Sequence, residues 1–306
     1  MPKVRVKKHV LLCICGDSAA GKTTISKGIA DILGPDRCTI ICTDDYHCFD
    51  RKERSENGIS ALNPKGNYLD VMAQHFRLLS HGQPILKPVY NHDNGKLERP
   101  HYIQPKEYVI LEGLLGLSTK EMRQCHDVKI YLEPEEDLRI KWKIHRDMVK
   151  RGYTEAQVRA SLEKRKSDSP EFIHPQRKFA DIVVNFHRPS VNTHDFLDVK
   201  NILRPTLPHP HMHEPSADEG WSMTLGRDYD GKPADIMSIS GGIKAETALQ
   251  LEDELWQQLP EASHLRDNVG RYADPDGLVS MSHPLALTQL MIAYQLVKAA
   301  GGIHAL

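Results

Sequence analysis

The sequence predicts an α/β fold, with a mainly parallel central sheet flanked by helices and a mixed C-terminal extension. Three observations carry that expectation. An apolar run starting at Val10, VLLCIC, leads into a glycine-rich turn and then into ISKGIADIL, where Ile25, Ile29 and Leu33 recur at helical spacing. Three later apolar runs, CTIIC, YVIL and VKIYL, read as buried strands. Helical patterns separate them, so strand and helix alternate as in a sheet built from parallel crossovers.

The turn between the first strand and the first helix is GDSAAGKTT. Gly16, four variable residues, then Gly21, Lys22 and Thr23 have the spacing of a phosphate-binding P-loop. Glycine lets the backbone approach phosphate, and the N–H groups at the helix start face the negative charge. Gly16, Asp17, Ser18, Ala19, Ala20, Gly21, Lys22, Thr23 and Thr24 are therefore the candidate ATP-binding residues. Lys22 can reach the β- and γ-phosphates, and the Thr23 hydroxyl can face Mg²⁺. A switch that holds a nucleotide without acting on a small molecule would carry the same motif.

CTIICTDDYH reads as a second buried strand that closes on two carboxylates, Asp44 and Asp45. The C-terminal strand edge is where open α/β sheets bind ligands. A carboxylate there can accept a hydroxyl proton or face Mg²⁺, while a polar helix cap would look the same. Arg51, Lys52 and Arg54 follow and suit an anionic substrate, as they would a solvated charge run. A helix of about four turns carries Leu69, Met72, Phe76 and Leu79 on one face. KPVYNHDNG then reads as an extended segment and a turn, from which Tyr90 and His92 project.

EYVILEGLLGL is a third buried strand, with Glu112 in the metal-organising position that follows a P-loop. DVKIYLEP is a fourth. The helix that starts after Pro134 and stops at Gly152 has two faces: Leu138, Trp142, His145 and Val149 on one, Lys143, Arg146, Asp147, Lys150 and Arg151 on the other. The second face is cationic around a single Asp, which suits a phosphate-laden site, although a solvated amphipathic helix is also open. Arg165, Lys166, Arg177 and Lys178 flank a stretch, Ser167 to Gln176, that reads as a mobile lid, and Ala180 to Phe186 reads as a strand. His187 to Pro215 is a Pro- and His-rich connection in which His209, His211 and His213 alternate without a nearby Cys or acid, so it reads as a loop. The tail, from Trp221, contains two strand-like runs and helices near Glu246–Gln258 and Pro284–Ala300.

The chain has 306 residues, with 26% charged, 40% hydrophobic and a net charge of −1, ordinary for a soluble globular protein and unlike a general nucleic-acid binder. No apolar run has membrane-spanning length, and the basic start lacks the apolar core of a signal peptide, so no membrane partner and a cytoplasmic location are expected. The six cysteines all precede residue 126, and Cys13-x-Cys15 lacks zinc or redox spacing. All six are expected reduced. The expected division is a core of residues 1–205 and a C-terminal extension of residues 206–306.

GDSAAGKTT, TDDYHCFDR, LNPKGNYLD, KPVYNH, VILEGL and WKIHRDMVKRG together resemble the phosphoribulokinase/uridine kinase family of P-loop kinases. Within it, DDYH-x-x-DR and LNP-x-x-N look like the phosphoribulokinases of plants, cyanobacteria and archaea. The resemblance runs from Val10 to about Pro189. It implies the P-loop kinase fold and ATP-dependent phosphorylation of ribulose 5-phosphate at its C1 hydroxyl, with Mg²⁺, in a homodimer. A uridine kinase-like nucleoside kinase is the alternative. The resemblance further implies Asp44 as catalytic base, Lys22 and Arg146 as the other catalytic residues, and Thr23, Glu112 and Asp44 toward the metal. His47, Arg51, Arg54, Tyr90, His92, Lys143, Asp147 and Arg151 form the implied substrate set. One departure matters. Plant enzymes carry a regulatory cysteine in the P-loop that pairs with one on the DDYH strand; here the second is kept as Cys42, but the first position is Ala20. Thiol control through that pair is not expected.

Overall fold

A computed structural model describes residues 9–189, 194, 196–213, 215, 217–259, 265–274 and 276–301. The order along the chain is β1 (Val10–Gly16), α1 (Lys22–Leu33), β2 (Cys38–Cys42), α2 (Arg51–Glu56), α3 (Leu69–Ser80), β3 (Ile85–Asn91), β4 (Lys96–Ile103), β5 (Tyr108–Gly113), α4 (Lys120–Cys125), β6 (Val128–Leu132), α5 (Glu136–Arg151) and α6 (Glu155–Lys164). Then come β7 (Ile182–His187), β8 (Asp198–Leu203), β9 (Trp221–Arg227), β10 (Pro233–Ile239), α7 (Ala245–Gln257), β11 (Arg271–Ala273), β12 (Val279–Met281) and α8 (His283–Ala299).

The main sheet has eight strands in the order β2-β5-β1-β6-β7-β8-β10-β9. The pairs from β2 to β7 are parallel, and β8, β10 and β9 continue the sheet antiparallel. β1 and β5 are buried at every residue, which is why both read as unbroken apolar runs. Because β1 lies between β5 and β6, the P-loop, Glu112 and the start of α5 leave the same sheet edge side by side. Ile25, Ile29 and Leu33 of α1 are buried against the sheet. Each such side chain contributes roughly 1.5–3 kcal/mol of burial.

Four expectations change. β2 is the sheet edge and buries only Cys38 and Ile41, leaving Ile40 exposed, rather than running buried throughout. β8 lies inside the stretch expected to be a loop, paired with β7 and β10. On α5 the apolar stripe is inward only in its first half, where Leu138 is buried and Trp142 packs half-buried on the core, while Val149 is exposed and Lys143 and Asp147 of the other face are buried too. The stretch expected to be a mobile lid forms two short helical turns, Ser169–Ile173 and His174–Phe179. Gln176 anchors it by donating to Leu114 O and accepting from Leu117 N. The alternating histidines do meet acids, from distant elements: His209 pairs with Asp235 of β10 at 3.0 Å and His213 with Glu254 of α7 at 2.9 Å. Among the described residues no helix is long and apolar enough to cross a membrane.

Candidate active site

The P-loop is shaped by close approach. A Cβ on Gly16 would lie 2.6 Å from the Leu132 carbonyl oxygen, so only glycine fits between β1 and β6 there. Ala19 holds a left-handed φ of 66°, which costs roughly 1–3 kcal/mol and is kept by the loop around it. No side chain caps the start of α1, so its first N–H groups face the loop. Lys22 Nζ donates to Gly16 O at 3.0 Å and Asp17 O at 2.8 Å. That folds the ammonium across the mouth of the loop. α5 leans onto the same loop: Arg139 Nη1 donates to Ser18 O at 2.9 Å and Arg146 Nη2 to Ser18 Oγ at 3.3 Å.

Thr23 Oγ1 lies 3.1 Å from both carboxylate oxygens of Glu112. Burial raises the Glu112 pKa, with Asp44 adding to the rise and Lys22 and the Thr23 hydroxyl opposing it. Two carboxylates and a hydroxyl at a strand edge beside a phosphate loop are the hard oxygen donors Mg²⁺ takes, phosphate oxygens and water completing its shell. The donor set fits the ion.

The two neighbouring aspartates separate by role. Asp45 accepts from Tyr90 N at 3.0 Å and forms an ion pair with Lys87, so it ties β3 to the turn after β2. Asp44 accepts from Leu114 N at 3.2 Å and lines a cleft of about 270 Å³. Ser18 of the P-loop lines that cleft too. So does every residue of the substrate set: His47, Arg51, Arg54, Tyr90 and His92 on one side, Lys143, Asp147 and Arg151 on the other. Arg146 stands apart from the lining, between Ser18 and Asp147.

The lining is chemically specific. Asn67 donates its amide to Ala61 O and Asn63 O, which turns its oxygen toward His47 Nδ1 at 2.7 Å. His47 Nδ1 is thereby the donor and Nε2 is left to accept. Burial, with Arg54 nearby, lowers the His47 pKa to about 4, so the ring is neutral. Arg54 is buried, donates to Tyr90 Oη at 2.6 Å and stacks 4.8 Å over that ring, while its Nη1 is buried with no hydrogen-bond partner. An unsatisfied charged donor at a cleft wall suits an anion. Arg51 is exposed and donates to the carbonyls of His92 and Asp93, bracing the β3–β4 turn. Asp147 is the hub of the opposite wall. It accepts from Lys143 at 2.9 Å and Arg146 at 2.9 Å, and pairs with Arg151 at 3.3 Å. Burial lowers the Lys143 pKa to about 8, Asp147 opposing the fall.

Sequence reasoning missed Asn67, Arg139 and Gln176 as site-shaping residues and left Arg165, which also lines the cleft, in a charge run. Arg165 had a signal in its place among the cations flanking the supposed lid, and Asn67 had one as the last residue of LNP-x-x-N.

The sequence profile of the phosphoribulokinase/uridine kinase family matches residues 11–193. The chain belongs to that family. It is 41% identical over 180 residues to a phosphoribulokinase of Synechocystis, covering 59% of this chain and 54% of the relative. It is 35% identical over 196 residues to a chloroplastic phosphoribulokinase of Triticum aestivum, covering 58% and 48%. This family member thus spans about half the length of the curated relatives it matches. Its fold is similar to that of a phosphoribulokinase from Rhodobacter sphaeroides, with a TM-score of 0.59 at 20% identity over 82% of this chain and 96% of that one.

Proposed function

We propose that this chain is an ATP-dependent kinase that phosphorylates D-ribulose 5-phosphate at the C1 hydroxyl, giving D-ribulose 1,5-bisphosphate and ADP. The observation that carries the reading is one cleft that Asp44 shares with the P-loop residue Ser18 and with four cations, Arg54, Lys143, Arg151 and Arg165, which outnumber the carboxylate paired with two of them, Asp147. A neutral nucleoside would leave that charge unanswered; a sugar phosphate beside ATP answers it.

In this reading Asp44 accepts the C1 hydroxyl proton as that oxygen bonds the γ-phosphorus and the bond to the β–γ bridging oxygen breaks. Lys22 holds the β- and γ-phosphates. Arg146, fixed by Asp147 and the Ser18 hydroxyl, faces the charge of the group in transfer. Neutral His47 accepts from a sugar hydroxyl through Nε2, Tyr90 and His92 wall the sugar, and Arg54, Arg51, Lys143 and Arg151 take its phosphate. Thr23, Glu112 and Asp44 would hold Mg²⁺, which supplies charge neutralisation on the ATP phosphates. Positioning and charge balance suffice, because phosphoryl transfer asks for little covalent help from protein. The proposal includes a kinase core of residues 1–205, an extension of residues 206–306, and a cytoplasmic homodimer.

The test is ATP turnover with ribulose 5-phosphate, uridine, cytidine and pantothenate. Turnover with ribulose 5-phosphate alone is expected. Preference for uridine would move the reading to a nucleoside kinase, and turnover with none would favour a nucleotide switch.

A further inference from the structure

We infer that Gln289, on the C-terminal helix, is a positioning residue for the nucleotide site. The inference rests on the P-loop binding ATP. Gln289 is fully buried on α8. Its Nε2 donates to Thr24 O at 3.1 Å, and its Oε1 accepts from Gly270 N at 2.9 Å. Thr24 directly follows Lys22 and Thr23 in the first turn of α1. The amide also lies where a side chain would stand on Gly28: a Cβ there would come within 2.0 Å of Gln289 Nε2. Gly28 is thus an open notch one turn along α1, and the Gln289 amide fills it.

Three physical points turn this contact into a positioning role. A buried amide with both ends paired is directional, unlike the apolar contacts around it, so it sets where α1 sits along α8 and not merely that the two helices touch. Removing it leaves the Gly270 N–H and one lone pair of Thr24 O without partners in a dry interior. And Lys22 and Thr23 ride on the same rigid turn, so a shift of that turn moves the ammonium and hydroxyl relative to the phosphates, to which binding and transfer are sensitive. The C-terminal helix therefore completes the nucleotide site from behind, without touching the ligand.

The test compares Gln289→Met, which keeps length and bulk but cannot donate to Thr24 O, with Thr288→Val. Thr288 is the next residue on α8, equally buried, and it bonds Asn201 of β8 instead of α1. ATP affinity is measured by calorimetric titration, and KM for ATP and for the sugar phosphate by steady-state kinetics. Gln289→Met should weaken ATP binding roughly tenfold and raise KM for ATP alike, with KM for the sugar phosphate within about twofold. Thr288→Val should lower the melting temperature and leave ATP affinity as in the unmodified protein. Gly28→Ala, which displaces the amide from the α1 side, should reproduce the ATP defect and decides the matter if Gln289→Met does not fold. Unmodified protein that binds no ATP would overturn the nucleotide reading itself. Normal ATP binding in the unmodified protein and in whichever of Gln289→Met and Gly28→Ala folds would overturn only the positioning role.

Discussion

Lys143 gives the sharpest pH prediction. Its ammonium is buried at the cleft wall and its pKa is lowered to about 8. At pH 7 about nine-tenths of the free protein carries the charge, and at pH 9 about one-tenth. If that charge meets the sugar phosphate, kcat/KM must fall on the alkaline side with a midpoint near 8, because activity is lost as pH rises through the folded pKa of a base that works protonated. A bound dianion favours the charged form, so kcat at saturating substrate should hold to higher pH than kcat/KM. Lys143→Arg, which cannot deprotonate in this range, should abolish the limb even if its absolute rate is lower. Asp147→Asn should move the limb the other way. At 2.9 Å and an effective dielectric near 20, the Asp147 carboxylate favours the charged Lys143 by an upper figure of about 6 kcal/mol. Arg146 and Arg165 would remain to repel it, so the kcat/KM midpoint should drop by at least about one unit. The assay is initial rate against sugar-phosphate concentration from pH 6 to 10. An unchanged alkaline limb in Lys143→Arg would refute the assignment of that limb to Lys143.

Other outcomes follow from the same geometry. Asp44→Asn should lower kcat by a factor on the order of 10² to 10⁴ with ATP affinity intact; near-normal kcat would remove the base role, and Asp45, occupied by Lys87 and Tyr90 N, is no substitute. Arg54→Met should raise KM for the sugar phosphate by roughly tenfold or more and spare KM for ATP, whereas an equal rise in both would assign Arg54 to packing alone. Trp142→Ala should cost roughly 1–2 kcal/mol in denaturant unfolding, below the range for a fully buried Trp, because that ring is half-buried. Mild oxidation should leave activity within about twofold, read as the kinase rate after oxidised and reduced dithiothreitol. Burial pushes Cys15 up to about 12 and Cys42 well above its usual value, and β5 separates β1 from β2, which puts their thiols roughly two strand spacings apart, beyond disulfide reach. A reversible loss of activity that Cys42→Ser abolishes would show another partner for that thiol.

Half of the site was legible because its signals are local. Gly16, Gly21, Lys22 and Thr23 have to follow one another at one strand end, and Asp44 and Glu112 have to close apolar runs, so spacing and hydropathy suffice to find them. The α5 faces were legible only in part, for a physical reason. Periodicity assumes that a helix buries its apolar stripe alone, but this helix borders a cleft and also buries Lys143 and Asp147 as a pair. β8 was hidden similarly. Lys200 and Asn201 interrupt its apolar residues, and Asn201 makes a buried hydrogen bond to Thr288, 87 residues away. Asn67 shows the same limit within the site: nothing near it in sequence says that it sets the tautomer of His47.

α8 carries the argument furthest. It is buried on every side, so its sequence predicts a core helix and nothing more. Its buried polar residues Thr288, Gln289 and Gln295 look there like tolerated exceptions. A buried polar side chain is kept only where a partner meets it, so each one on an apolar helix marks a specific contact whose other end the sequence does not name. For Gln289 that end is Thr24, 265 residues earlier and inside the P-loop motif itself. The most recognisable motif in the chain is thus held from behind by one of its least recognisable residues. The tail is therefore part of the nucleotide site's support, and removing it should cost ATP affinity as well as stability.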